Sequence, residues 1–364
     1  MNDFASSAGR PVVAVVGAGI AGATCARALR DAGCRLRVFD KSCGPGGRLA
    51  TRRALWVGAQ GLGRSTRFDH GAPGFDARSG AFRHFTAGAL RAGWLAEWAP
   101  VLDPRGLGRD GTGSTLLPVP DMPTLCRHLL QGIDTAWACS VRGLEQGGSA
   151  GLGWALQGAE GLLCEGVDAV VLAMPPAQAG QLLGTHQPAW SRHAAVALMQ
   201  PCWTLMGVSA RPHVALNWDV SRPPSGPLCA VQRNESRPGR EKLDGEVHWV
   251  LHARAGWSRL HLEQNADWVQ AQLQAALADW LGAPLQWHHA TAHRWRYAMP
   301  QPGGSTSGGQ CWWDAALKLG VCGDFLGRGG GVEAAWSSAQ ALAGQMLATA
   351  PAQRLAWSKS PVEA

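Results

Sequence analysis

The sequence has a single tyrosine, Tyr297, and only four lysines, Lys41, Lys242, Lys318 and Lys359. It has no apolar run near the ~18 residues of a membrane-spanning helix, so a membrane protein is not expected. Met1 to Pro11 lack the basic and apolar regions of a secretory signal, which leads to an expectation of a cytoplasmic chain. Ten cysteines are present, yet there is no C-x-x-C and no Cys/His cluster with zinc spacing. Cys25, Cys34 and Cys43 are too evenly spread for a local site, so buried thiols and no metal are expected. Charge is also sparse. Charged residues make up 16% of the chain, and 33 basic against 26 acidic residues leave +7 with no run of five like charges. That scatter argues against a nucleic-acid or membrane patch, while the surplus suits an anionic small molecule. The chain is 46% hydrophobic over 364 residues, which excludes disorder and suggests two domains.

The informative segment lies near the start. Pro11 to Val16 is a short β-branched run of the buried parallel-strand kind. Gly17-Ala18-Gly19-Ile20-Ala21-Gly22 follows, then a helical stretch Ala23 to Arg30 closed at Gly33, then a second strand Leu36 to Phe39 ending in Asp40. This is one β-α-β unit. The first glycine makes the tight turn, the second admits a pyrophosphate to the backbone, and the third lets helix and strand pack. The helix N-terminus offers free N–H groups to phosphate, and a strand-end carboxylate such as Asp40 suits ribose hydroxyls. Dinucleotide binding is the expected function of this unit.

Further on, strands are expected at Asp168 to Leu172, Glu246 to Arg254, His288 to Tyr297 and Leu317 to Cys322. Asn265 to Leu281 reads as an amphipathic helix with Asn265 as N-cap, and Val332 to Leu347 as a closing helix. Gln301 to Gly309 reads as a Gly/Ser loop.

Asp40-Lys41-Ser-Cys-Gly-Pro-Gly46-Gly47-Arg48 is similar to the segment that follows the second strand in FAD-dependent amine oxidases and their relatives. Phe68-Asp-His70-Gly71-Ala72, Pro201-Cys-Trp203, Trp249-Val-Leu-His252-Ala and His293-Arg-Trp295-Arg-Tyr297 resemble the bacterial renalase-like flavoproteins. Cys322-Gly-Asp324-x-x-Gly and Gly331-Val332-Glu333 are shared with the wider flavin amine oxidase superfamily. The resemblance runs from about Val12 to Leu347. It departs at Pro73-Gly74, where the family tends to Gln and an aromatic, and at Arg254-Ala255, where it tends to Ser/Thr-Pro.

The resemblance implies an α/β fold: a Rossmann-type FAD-binding domain of the p-hydroxybenzoate-hydroxylase type, with a second α+β substrate domain on a mixed sheet. The expected boundaries are 1–74, 111–180 and 292–350 for the first, 75–110 and 181–291 for the second, and a tail at 351–364. Gly17, Ala18, Gly19, Ile20, Ala21, Gly22, Asp40, Lys41, Gly47 and Arg48 would hold the ADP half of non-covalent FAD. His70, Gly71, Ala72 and Gly331 would lie against the cofactor. Val141, in the strand-like stretch Ser140 to Arg142, would pair with adenine. Asp324 would accept a ribityl hydroxyl, and Val332 would direct its N–H at the flavin.

For the substrate side, the candidates are His252, Trp203, Trp295 and Tyr297, with no acid or base identified. The implied activity is oxidation of misreduced dihydro-NAD(P) isomers to NAD(P)+, with O2 as acceptor and H2O2 as product. A flavin amine oxidase and a non-catalytic flavin carrier are the alternatives. Against the amine oxidase stand Gly331, where such enzymes place an aromatic, and the lack of an evidently placed lysine. The expected partners are a dihydropyridine nucleotide or amine and O2, with no nucleic acid and no membrane.

Overall fold

The computed structural model describes residues 10–58, 61–107, 115–147, 153–301, 309–327 and 329–349. The expected tail lies outside them, as does most of the Gly/Ser loop. The chain divides into two units: Met1–Gly47, Leu125–Leu198 and Pro300–Ala364 form one, Arg48–Thr124 and Met199–Met299 the other.

In the first unit, strand Val12–Val16 is buried at all five positions, as its unbroken apolar run requires. It pairs in parallel with Arg35–Phe39 on one side and Ala169–Leu172 on the other. Asp134–Ala136 extends the sheet beyond the former, and Leu319–Val321 then antiparallel Trp312–Asp314 beyond the latter, giving six strands. The C-terminal ends of the parallel strands lie along one edge, which is where open α/β sheets bind ligands. Helix Ile20–Asp31 packs against helix Gly331–Thr349. A separate antiparallel sheet comprises Gly143–Gln146, Trp154–Gln157 and Leu162–Val167.

Ser140 to Arg142 is not a strand. After Asp134–Ala136 the chain turns at Ala138 (φ 51°) and bonds back, Ala138 N–H to the Ser42 carbonyl and Cys139 N–H to that of Asp40. Those bonds draw it off the sheet, and residues 140–142 become the approach to the next strand.

The second unit is built on five strands in the order Val220–Ser221, Leu228–Arg233, Glu246–Ala253, Met199–Ala210, Trp287–Pro300. The mixed sheet is that of the first unit; here the described registers are antiparallel. Glu246–Ala253 is buried at all eight positions. One face of the sheet carries Trp203, Leu205, Trp249, Leu251 and Ala253 into a core closed by Val269, Leu273, Leu277 and Leu281 of helix Ala266–Leu281. Asn265 caps that helix, accepting from Trp268 N–H at 2.7 Å, and Gly282 (φ 70°) ends it.

The other face carries Met206, Val208 and Val250 against Ala54, Trp56 and Phe68 of the hairpin Arg52–Val57/Gly63–Phe68. This packing explains why residues 48–74 group with the second unit rather than with the first, where the sequence placed them. The buried hairpin face has its apolar partners on that sheet. Residues 292–299 likewise stay with the strand they continue.

Candidate cofactor cradle and histidine cluster

The three fingerprint glycines separate into two kinds. Gly17 has φ 110°, and a Cβ there would lie 2.2 Å from the Ala173 carbonyl oxygen. A Cβ on Gly22 would lie 1.8 Å from the Gly17 oxygen. Both are required by the fold. Gly19 is different: its φ of −73° and ψ of −178° suit any residue. A Cβ there would meet nothing closer than the Gly46 oxygen and Gly47 Cα at 3.8 Å. The chain leaves room for a side chain that the sequence withholds.

Gly19 is also the N-cap of helix Ile20–Asp31, with no side-chain cap and no acid in the first turn. The first N–H groups of that helix have no intrahelical acceptor, and its positive end carries no acid in its own first turn. Opposite, Gly46 forms a bridge with Gly19 and donates to the Ala18 carbonyl at 2.9 Å. Gly47 (φ 58°) would bring a Cβ to 3.2 Å of Gly19 Cα.

Asp40 Oδ2 accepts from Ala18 N–H at 2.7 Å and Oδ1 from Ser42 N–H at 2.8 Å. This bracing of the fingerprint loop was not foreseen. A carboxylate has about four acceptor sites, so ribose hydroxyls still have lone pairs to meet. Lys41 is exposed beside it.

On the far side of the sheet edge, Gly323 N–H donates to Ser338 Oγ at 3.0 Å, and Asp324 is 2% exposed in the turn that follows. Gly329, Gly330 and Gly331 have φ of 78°, 65° and 82°, a left-handed run leading into Val332 in the first turn of the last helix. Val141 is half-buried in its loop, and its backbone N–H and C=O have no partner among the described residues. A larger cavity of about 420 Å³, lined by Arg30, Cys34 and Arg35, opens where the second strand begins, the end opposite the fingerprint.

In the second unit, His70-Gly71-Ala72 runs beside Arg48. Ala72 N–H donates to the Arg48 carbonyl at 2.9 Å, and a Cβ on Gly71 would lie 2.0 Å from that oxygen. Arg48 itself donates from Nη1 to the Ala298 carbonyl at 3.1 Å. His252 Nε2 donates to the Gly71 carbonyl at 2.9 Å, and Trp295 Nε1 to the His70 carbonyl at 3.0 Å. The rings of His70 and His293 lie 4.9 Å apart edge to face, His293 and Trp295 4.6 Å, His70 and Trp295 5.1 Å.

Burial pushes His252 down to about 4 and His70 down to about 3, the latter helped by His293 and Arg52 nearby. His293 is lowered for the same reasons, burial and Arg52. Both His252 and His70 are therefore neutral near pH 7, and each keeps a buried Nδ1 without a hydrogen-bond partner. With Nε2–H donating to Gly71, the His252 Nδ1 is a bare acceptor.

Trp203 does not join this cluster. It pairs one residue out of step with His252, so strand alternation sends it to the opposite face, into the core. Its indole N–H donates to the His261 carbonyl at 2.9 Å. Tyr297 is half-buried two residues beyond Trp295 on the same strand.

His293 was missed as a site residue; its alternation with Trp295 was the available signal. Also missed was a buried ion network beneath the loop. Asp69, fully buried, accepts from Arg237 at 3.0 Å, Arg240 at 2.8 Å and Thr51 at 2.6 Å, while its N–H donates to Asn234 Oδ1. Arg237 also donates to the Pro73 carbonyl at 3.1 Å. Gly74 follows at φ 128°, with Thr115 Oγ1 2.9 Å from where a Cβ would stand. The Pro73-Gly74 departure is thus built into the turn.

Residues 15–88 match the family described as an NAD(P)-binding Rossmann-like domain. Three solved structures share the fold across nearly the whole chain. A proposed protoporphyrinogen oxidase from Exiguobacterium sp. 255-15 has a TM-score of 0.66 at 12% identity, covering 94% of this chain and 100% of that one. Reduced UDP-galactopyranose mutase has 0.64 at 10%, covering 95% and 98%. Wild-type putrescine oxidase bound to putrescine has 0.55 at 13%, covering 93% and 99%. At these identities the common property is the architecture.

Proposed function

We propose that the chain is an FAD-dependent oxidoreductase, of renalase-like activity, that oxidises misreduced dihydro isomers of NAD(P). The observation that carries the cofactor is Gly19. It is a glycine in an ordinary conformation with open space where a Cβ would stand, at the uncapped N-terminus of a helix. Pyrophosphate approaching the backbone explains both features. Gly17, Ala18, Gly19, Ile20, Ala21 and Gly22 would hold it, Asp40 the ribose, and Asp324 a ribityl hydroxyl. Arg48 would turn guanidinium donors to phosphate, and Val141 would offer its backbone to adenine. Val332, after three left-handed glycines, would supply an N–H where negative charge collects. Bound FAD would supply a two-electron acceptor for hydride that can be reoxidised by O2.

The second unit supplies a substrate surface without a charged base. Neutral His252 and His70 and the Trp295 indole can bind and orient a flat ring. None has the pKa of a catalyst that takes a proton near pH 7. A dihydropyridine needs no such base. Loss of hydride restores the aromatic pyridinium, and the overall balance is dihydro-NAD(P) + O2 + H+ giving NAD(P)+ + H2O2.

A second reading, a flavin amine oxidase, is favoured by the fold shared with putrescine oxidase. Against it, Lys318 stands immediately before strand Leu319–Val321, at the end of the sheet opposite Cys322 and the fingerprint. Gly331 likewise leaves no aromatic before Val332. The deciding experiment is anaerobic titration of the purified yellow protein with dihydronicotinamide isomers and primary amines. The proposal expects bleaching by 2- or 6-dihydro-NAD(P), with ordinary NAD(P)+ as product. Bleaching by putrescine or benzylamine alone would overturn it, and a colourless protein that takes up no FAD would remove the cofactor assignment.

A further inference from the structure

A second, smaller cavity of about 170 Å³ opens in the second unit beside the Asp69 network. Water occupies about 30 Å³ in the liquid, so the space has room for a tetrahedral oxyanion. None of its lining residues belongs to the cofactor cradle or the histidine cluster.

Three guanidiniums line it: Arg53, Arg67 and Arg240. Arg53 and Arg67 are exposed and stand directly opposite each other across the hairpin ladder. Like charges in that relation destabilise a strand pair. Nothing in the described chain relieves them well. Arg53 has no hydrogen-bond or ion-pair partner among the described residues, and the carboxylate recorded near Arg67 is that of Asp121, at 4.0 Å.

The floor has the same imbalance. Arg240 is 3% exposed in its side chain and Arg237, just behind, is 0% exposed, and both pair with the one carboxylate of Asp69. Arg237 and Arg240 therefore share a single carboxylate as ion-pair partner. His248 also lines the cavity and is 1% exposed. Its Nε2 has no hydrogen-bond partner, and the Glu246 carboxylate is 4.0 Å away. That nitrogen can donate to a bound oxygen. Asp69 and Glu241 are the opposing charges on the lining, two carboxylates against three guanidiniums, which leaves one net positive charge there.

We propose that this cavity binds a phosphate-type oxyanion, as free phosphate or as the headgroup of an anionic lipid. Arg53, Arg67 and Arg240 would supply charge, and His248 a neutral donor. The lipid source is considered because Leu55, 77% exposed, shares the outward face of the hairpin with Arg53.

The test is calorimetric titration of the full chain with inorganic phosphate at low ionic strength, beside sedimentation with phosphatidylcholine vesicles with and without phosphatidate. Saturable one-to-one binding of phosphate is expected. The double variant Arg53→Gln/Arg67→Gln, altered only at exposed positions, should weaken it at least ~10-fold, the scale of losing charge-assisted hydrogen bonds. Arg64→Gln, whose side chain lies over the Trp56 ring and does not line the cavity, should leave it unchanged. If only phosphatidate vesicles bind, and the double variant releases them, the headgroup is the source and the proposal stands. No binding of either probe, or binding indifferent to the double variant, overturns it.

Discussion

Replacing each fingerprint glycine by alanine separates what the fold requires from what a ligand requires. For Gly22→Ala, the new Cβ would stand 1.8 Å from the Gly17 oxygen, well inside contact distance and against backbone. Overpacking of that kind costs roughly 1–3 kcal/mol or more. Gly17→Ala adds left-handed strain, roughly another 1–3 kcal/mol, to a 2.2 Å clash with Ala173. For Gly19→Ala the terms nearly cancel. Alanine is the poorer N-cap by about 0.5–1 kcal/mol, and the stiffer unfolded chain returns about 0.4–1 kcal/mol. The expected outcome is a thermal midpoint within about 2 °C of wild type for Gly19→Ala, a fall of roughly 2–12 °C for Gly22→Ala, and a larger one for Gly17→Ala. Bound FAD should show the reverse independence. Gly19→Ala should fold normally and lose FAD affinity by ~10-fold or more, because its methyl occupies the space the pyrophosphate needs. Differential scanning calorimetry and flavin absorbance after gel filtration read the two quantities separately. A Gly19→Ala protein that keeps full flavin, or one that unfolds as readily as Gly22→Ala, would refute the reasoning.

The remaining expectations concern single side chains. Asp324→Ala should weaken FAD by about ten- to a hundredfold, measured by reconstituting apoprotein, because a buried charged acceptor is worth roughly 1.5–3 kcal/mol. His252 and His70 bind protons less readily folded than unfolded, so their stabilising effect is complete above about pH 6.5. It is lost as pH falls through the range toward about 4 and about 3. Urea unfolding should therefore show a loss of roughly 2 kcal/mol per histidine between pH 7 and 5, and His252→Gln should remove one such increment. An unchanged slope in that variant would contradict the neutral buried histidine. Flavin bleaching by dihydropyridines should be nearly flat between about pH 6 and 9, since no proton transfer to a side chain is required; a steep rise with pH would favour amine chemistry.

Much of the first unit was legible in the sequence because its signals are local. The run Val12–Val16, the glycine spacing and the strand end at Asp40 fall within thirty residues, and each has its own steric or electrostatic meaning. Helix Ala266–Leu281 was legible for the same reason, from Asn265 to its apolar stripe. The side of a sheet a residue faces is not local. Trp203 and His252 are both substrate-side candidates by sequence, and the register Thr204↔His252 sets them one residue and therefore one whole face apart. His70 and His293 meet from positions more than two hundred residues apart, and Asp69 finds Arg237 and Arg240 across a similar gap. No periodicity encodes such meetings. The Ser140 to Arg142 stretch misled because strand propensity there is overruled by two backbone bonds to residues 40 and 42.

The Gly19–Gly46 bridge, with Ala18 held between Gly46 N–H and Asp40, joins the fingerprint loop to the turn beyond the second strand through the protein's own hydrogen bonds. A nucleotide bound there as proposed would meet a finished surface and order little on binding, so the entropic penalty of organising a loop would be spared. Removal and return of the ligand should then leave the chain's backbone in place. The apoprotein is expected to survive as a folded, reloadable species, open to substituted flavins.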